Sequence, residues 1–321
     1  VISRVRPAGS RERSAVSAGW VAGSVRARAL ARRRLGAAAA RRRAASGSLP
    51  EALRALADTY YDRGIRPGQT LAEAQQAIAG TILWDLRVLA GWLPRGGVSL
   101  LRTMAGWFEI ANVDELMQAM AGRQAGQMFQ LGALATAWPR LRTAGSPAAL
   151  RTALAGSAWR DPGTDAASAI RLGMRARWAA RVAGYGDPAR TWAAGAAALL
   201  VAGERFAAGR QLPAAVADGT PGLLGQAAEA AMLGELAARL PAGIRWVLDG
   251  ISSPDDLWRA EAAWWARVER DGFMLLRISG LDSGPVLGAV AVLAADAWRV
   301  RAALEIAARG GGPLEVYDAV A

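Results

Sequence analysis

The sequence predicts an all-α protein, and three observations carry that prediction. Ser99 to Gly122, SLLRTMAGWFEIANVDELMQAMAG, is apolar around most of a helical circumference, and its polar residues Arg102, Glu109 and Asn112 fall on one narrow stripe. A helix of that kind belongs inside a bundle. The closing stretch Pro285 to Gly310, PVLGAVAVLAADAWRVRAALEIAARG, begins in the same way, then acquires Asp296, Arg299, Arg301, Glu305 and Arg309 and ends on glycine. The third observation is compositional: alanine dominates the apolar residues, β-branched residues and tyrosine are few, and no stretch alternates with period two.

Taken in order, residues 1–23 are rich in arginine, serine, glycine and alanine with little periodicity, and are expected to be a disordered basic leader. Val25 to Arg43 reads as a helix broken by Ser46-Gly47-Ser48. Ser48 then caps a helix with Pro50 in its first turn, running to Gly64 with Leu53, Leu56, Tyr60 and Tyr61 on a buried side. Pro67-Gly68 is a turn, and Thr70 with Glu73 forms a capping-box pattern for a helix that Pro94 stops. Beyond the Ser99–Gly122 helix, the starts Ser146-Pro147, Asp187-Pro188, Thr220-Pro221, Ser253-Pro254 and Ser283-Gly284-Pro285 each precede a helical run. A further run, DAASAIRLGMRARWAARVAG, follows the loop Asp161-Pro162-Gly163. The last segment, PLEVYDAVA, reads as a final short turn or helix. This punctuation gives about ten to twelve helices joined by short loops. Glycines inside them (Gly173, Gly195, Gly203, Gly234, Gly288) cost up to about 1 kcal/mol each against alanine, and close helix–helix packing is the expected compensation.

Composition narrows the chemistry. The chain of 321 residues has no cysteine and no histidine, which excludes disulfides, thiolate or imidazole metal sites and histidine-based acid–base catalysis. Every basic residue is arginine, so no P-loop lysine exists. The net charge of +12 is concentrated: residues 1–43 hold twelve arginines and one acid, Glu12, so the rest is nearly neutral. Such an arm suits nucleic acid or anionic lipid, or is simply solvated. No run approaches the roughly 18–20 apolar residues of a membrane span, so a cytoplasmic location is expected.

No catalytic constellation assembles. Gly184-Tyr185-Gly186-Asp187-Pro188-Ala189 fits a dinucleotide-binding string only formally, since it follows a helix and not a strand. Asp58/Asp62 and Asp255-Asp256 read as helix-start and surface acids rather than metal ligands. Trp264-Trp265 and the other tryptophans read as core aromatics. No catalytic, cofactor or metal residue is assigned, and no cofactor is expected. A helical scaffold that binds partners fits the residues best. The alternatives are an all-helical adaptor or nucleic-acid binding through the arginine arm.

The stretch AGWFEIANVDELMQAMAG resembles a signature of the C subunit, also called subunit d, of A-type and V-type rotary ATPases. There a long helix carries an acid, an apolar residue, a spacer, an asparagine and an aliphatic, here Glu109, Ile110, Ala111, Asn112 and Val113. PVLGAVAVLAADAWRVRAALEIAARGGGPLEVYDAVA resembles the same family's C-terminal signature, with Asp296, Trp298, Arg299 and Arg301 at the matching positions. VRARALARRRL resembles its first motif and SPAALRTALAGSAWRDPG its mid-chain short helix. The order of these motifs covers residues 24 to 321. The sequence departs at Arg190–Gly209, where alanine and glycine replace an acid and an asparagine, and at Trp298, where the family more often has asparagine.

The resemblance implies a funnel-shaped bundle of three similar helical lobes with pseudo-threefold symmetry, here 24–125, 126–222 and 223–321. It implies a non-catalytic central-rotor subunit at the cytoplasmic face of the membrane. Such a subunit receives the central shaft in its socket, sits on the proteolipid ring and transmits torque for ATP-coupled proton or sodium transport. It also points to Glu109, Asn112, Asp296, Arg299 and Arg301 as partner-binding or inter-lobe residues.

Overall fold

A computed structural model describes residues 8–311, with side chains from Ser17 onward. The described residues form helices and connecting turns, with no strand among them. In chain order the α-helices are α1 (Ala8–Arg32), α2 (Ala37–Ala44), α3 (Leu49–Arg54), α4 (Leu71–Ala90), α5 (Arg95–Met104), α6 (Gly106–Met120), α7 (Trp138–Leu141) and α8 (Pro147–Ala155). They continue with α9 (Ala167–Ala183), α10 (Ala189–Ala202), α11 (Ala214–Gly219), α12 (Pro221–Leu224), α13 (Leu233–Arg239), α14 (Leu257–Arg277) and α15 (Ser283–Ala308). The proposed final segment after Gly311 and residues 1–7 lie outside the described residues.

The caps follow the sequence signals. Ser48 and Ser146 accept the N–H groups of Glu51 and Ala149 at the starts of α3 and α8. Thr70 and Glu73 form the reciprocal capping box of α4. Asp282 caps α15 through the N–H of Gly284.

Five expectations change. The leader is not disordered over residues 8–23, which belong to α1: Trp20 packs against the core and Ser24 is fully buried. The arm is therefore part of the fold from α1 onward, and α1 and α2 are separate because Gly36 sits at φ +82°. The helix expected to reach Gly64 stops at Arg54, because the chain turns at Asp58 (φ +60°) to bury both tyrosines. Thr220–Leu240 is broken by Gly225 at φ +58° into α12, a 3-10 turn and α13. The Ser99–Gly122 stretch is two helices, not one. The break falls at Ala105-Gly106, where a Cβ on Gly106 would lie 2.8 Å from Trp178 and 3.1 Å from Trp159.

The main core joins the beginning and the end of the chain, since Leu30, Leu53, Leu101, Leu154 and Val300 all belong to it. The closing helix α15 packs against α14, α1, α2, α3 and α4, so the C-terminal helix is enclosed by N-terminal ones. A second core gathers α10, α13, the turn 242–248 and Ala260. Neither core stops at 125/126 or 222/223: the first holds residues of all three segments, and the second runs from Ala194 to Ala260.

Three of the five helical glycines occupy close crossings. A Cβ on Gly288 would lie 2.6 Å from the carbonyl oxygen of Gly272, one on Gly195 2.8 Å from Trp264, and one on Gly173 3.1 Å from Ala215. Gly203 and Gly234 have no atom in reach. Gly288→Ala and Gly195→Ala should therefore each destabilise by about 1–3 kcal/mol through overpacking. Gly234→Ala should be neutral or stabilising by up to about 1 kcal/mol. Equilibrium denaturant unfolding of the three variants separates these outcomes.

Candidate functional site

The polar stripe of the α5–α6 region grips one connector, the stretch between α6 and α7. Arg102 donates from Nε and Nη2 to the carbonyl oxygen of Ala133, at 3.2 and 3.1 Å. Asn112, fully buried, donates to the carbonyl of Phe129 at 2.9 Å and accepts that residue's N–H at 2.6 Å. Glu109 is 1% exposed and accepts three hydrogen bonds: from the N–H of Thr136 at 2.6 Å, the N–H of Ala137 at 2.8 Å and the indole N–H of Trp159 at 2.6 Å. Ala137 is the N-cap residue just before α7, and Thr136 precedes it. These two N–H groups have no intrahelical partner, and a carboxylate is well placed at that end of a helix.

Asp296 repeats this arrangement at the other end of the chain. It is fully buried in α15 and accepts the N–H of Leu35 at 2.9 Å, the N–H of Gly36 at 2.7 Å and the hydroxyl of Tyr61 at 2.8 Å. Gly36 is the N-cap residue just before α2 and Leu35 precedes it, so the two carboxylates hold the same pair of positions before a short helix. The third donor is also equivalent. Tyr61 follows the cap residue Ser48 at the same sequence separation by which Trp159 follows Ser146. Cut at 125/126 and 222/223, Glu109 and Asn112 link the first segment to the second, and Asp296 links the third to the first.

Arg299 and Arg301 both have acidic partners on α14, and the Arg299 charge also reaches Tyr61. Arg299, 3% exposed, makes a bidentate pair with Glu269 at 3.0 and 2.8 Å. Burial lowers the Arg301 guanidinium from its ordinary value, against Glu261 and Glu305, and its Nε has no hydrogen-bond partner. Trp298 stacks on Trp265 at 5.6 Å and donates to Glu261 at 3.2 Å.

In the α10 region, where the expected acid is absent, the carboxylate comes from a different helix. Asp271 on α14, 1% exposed, accepts the indole N–H of Trp192 at 3.0 Å and the Nε of Arg267 at 2.8 Å, while Trp264 donates to the carbonyl of Trp192 at 2.9 Å. Sequence reasoning missed Tyr61, Trp159, Trp192 and Asp271 as polar partners. The shared Ser48–Tyr61 and Ser146–Trp159 spacing was a usable signal for the first two; nothing local marks the others.

Among the described residues, no three acidic side chains gather as a metal site. One surface depression, about 380 Å³, is lined by Arg151, Thr152, Asp161 and Asp165. Its Asp161 is held down at about 2 by the Arg151 guanidinium and the N–H of Gly163. Gly184–Ala189 is a helix-to-helix turn that begins α10. No family model and no curated relative matches the chain.

Removing either carboxylate would leave two backbone donors and an aromatic donor buried and unmatched. Glu109→Ala and Asp296→Ala should each cost about 3–5 kcal/mol. The exposed Asp218→Ala should stay within about 0.5 kcal/mol. Thermal and denaturant unfolding test the contrast.

The paired tyrosines give a pH signature. Burial, then the charge of Asp85, raises the Tyr60 hydroxyl, which donates to that carboxylate at 2.6 Å. Burial, then the charge of Asp296, raises the Tyr61 hydroxyl well above its ordinary value. A folded-state pKa above the unfolded one stabilises fully below the unfolded value of about 10, and that stability is lost as pH climbs past it. Stability should therefore fall steeply above pH about 10, and ultraviolet phenolate absorbance from Tyr60 and Tyr61 should appear only with unfolding. Tyr61→Phe should flatten the alkaline loss.

Proposed function

We propose that the chain is a non-catalytic rotor-socket subunit of an A-type or V-type rotary ATPase. In this reading it joins the central shaft to the membrane proteolipid ring and transmits torque for ATP-coupled ion transport. The observation that carries the proposal is the repeated junction: a buried carboxylate on a long apolar helix grips the two N–H groups before a short helix and one aromatic donor beyond it, first at Glu109 and again at Asp296. Both carboxylates lie in the stretches whose sequence resembles that subunit. Duplicated junctions are what a body of repeated lobes would contain, and a three-lobed funnel is the arrangement we propose for them. The region around α10, which takes its carboxylate from α14, would be the middle and most divergent lobe.

The mechanical requirements agree. A torque-bearing part needs a body that does not flex between its two interfaces, and densely packed interiors transmit strain. Glycine-mediated crossings, as at Gly272–Gly288, bring backbones together without side chains that can rearrange. Among the described residues no helix is long and apolar enough to cross a membrane, as expected of a subunit held peripherally at the cytoplasmic face by the ring. The shaft and the proteolipid ring are the proposed partners; no small-molecule substrate or cofactor enters the reading.

Affinity capture of the tagged full chain from native membranes, followed by mass spectrometry, tests the proposal. Recovery of nucleotide-binding subunits, shaft subunits and proteolipid is the expected result. A protein recovered alone, or with nucleic acid that resists nuclease, would refute it.

A further inference from the structure

Several large apolar side chains are left exposed. Five of them cluster on two adjoining elements: Val21 and Val25 on α1, and Met274, Ile278 and Leu281 at the tip where α14 turns into α15. Their exposures run from 39% to 59%, high for side chains of this kind.

The two elements are clamped together. Arg28 reaches across from α1 and donates to the carbonyl oxygens of Leu276 at 3.0 Å, Ile278 at 2.6 Å and Gly280 at 3.1 Å, closing the C-terminal end of α14. Ser24 donates to the carbonyl of Asp282 at 3.3 Å. Val21 and Val25 lie next to this seam, on the solvent side of α1. The exposed tip is therefore a fixed surface. On the other flank of α1, Gly19 and Gly23 let the 92–94 turn approach, and Trp92, 51% exposed, sits under Arg26 with the guanidinium 5.7 Å from its ring.

The rim of this surface is cationic. Arg270, Met274 and Arg277 are exposed along the end of α14, with Ile278 just beyond it, and Arg26 is exposed on the Trp92 flank of α1. Neither Arg270 nor Arg277 has an ion-pair partner among the described residues. The neighbouring acid, Asp282, is occupied in capping α15 at 2.8 Å.

Apolar side chains ringed by arginine, with a tryptophan at the edge, are complementary to a bilayer surface with negative headgroups. The aliphatic groups enter the headgroup–acyl boundary, the arginines meet phosphates, and tryptophan favours the interface. A protein partner would have to match this rim with carboxylates, whereas an anionic membrane supplies the charge without a specific sequence. We propose that the end of the molecule formed by α1 and the α14–α15 turn docks on anionic lipid. This holds whether or not the rotor assignment does, because it rests on different residues.

The test is co-sedimentation of the full chain with phosphatidylcholine vesicles, with and without phosphatidylglycerol. The protein should pellet with the anionic vesicles only, and less so as salt is raised. Arg277→Ala should weaken binding about fivefold, the worth of one arginine near a charged bilayer. The double variant Ile278→Asp, Leu281→Asp should abolish pelleting while its circular dichroism and melting stay those of the parent, since both side chains are exposed. Equal pelleting with neutral and anionic vesicles, no pelleting with either, or a double variant that still pellets would each overturn the proposal. So would a concentration-dependent dimer that the double variant dissolves in the absence of vesicle binding, which would assign the surface to a second copy of the chain.

Discussion

A buried carboxylate that spends its charge on backbone N–H groups is the interaction on which this fold depends. Burying a carboxylate costs several kcal/mol unless its oxygens are well matched. At Glu109 and Asp296 they are matched by donors that have no other partner, the N–H groups at the mouth of a short helix, together with one rigid aromatic donor. Each side resolves the other's deficit. The helix start would otherwise be an unsatisfied end in the interior, and the carboxylate an unpaired charge. The consequence is positional. Asp296, near the end of the chain, fixes where Leu35 and Gly36 turn, so the last long helix is tied to the first connector of the protein.

The rest of the architecture follows from those ties. With α15 fixed to the α1–α2 connector, α1, α2 and α3 wrap the closing helix, and α14 lies against it at a crossing so close that Gly272 and Gly288 leave no room for a Cβ. With α6 fixed to the start of α7, the connector after Met120, largely exposed over 121–130, is pinned at Phe129 and Thr136 by Asn112 and Glu109 and at Ala133 by Arg102 from the preceding helix. An irregular segment stays ordered when its own polar groups are claimed in this way. The α10 region uses a different solution, an indole donated to Asp271, itself held by Arg267.

Much of this was legible in the residues, and the reasons it was not wholly so are physical. The all-α class followed from periodicity and composition. The capping box at Thr70–Glu73 and the serine caps at Ser48 and Ser146 were readable because capping is local. The stripe Arg102–Glu109–Asn112 was visible as a polar seam on an apolar helix, yet its target was not, since backbone N–H and carbonyl groups carry no sequence label. Gly36, Gly106 and Gly225 broke helices that the pattern made continuous, because a glycine in a helix-favouring run reads the same whether it packs or turns. The basic leader read as disordered because α1 has weak periodicity; its order comes from contacts with residues some 250 positions later, as Arg28 and Ser24 illustrate.

Site-resolved hydrogen exchange in the native state tests the central claim most directly. If the carboxylates lock the connectors into the core, the amides of Leu35, Gly36, Thr136 and Ala137 should exchange only through the same global opening that releases the interiors of α6 and α15. Fast exchange of these four amides, at rates typical of surface turns while α6 and α15 remain protected, would contradict the account.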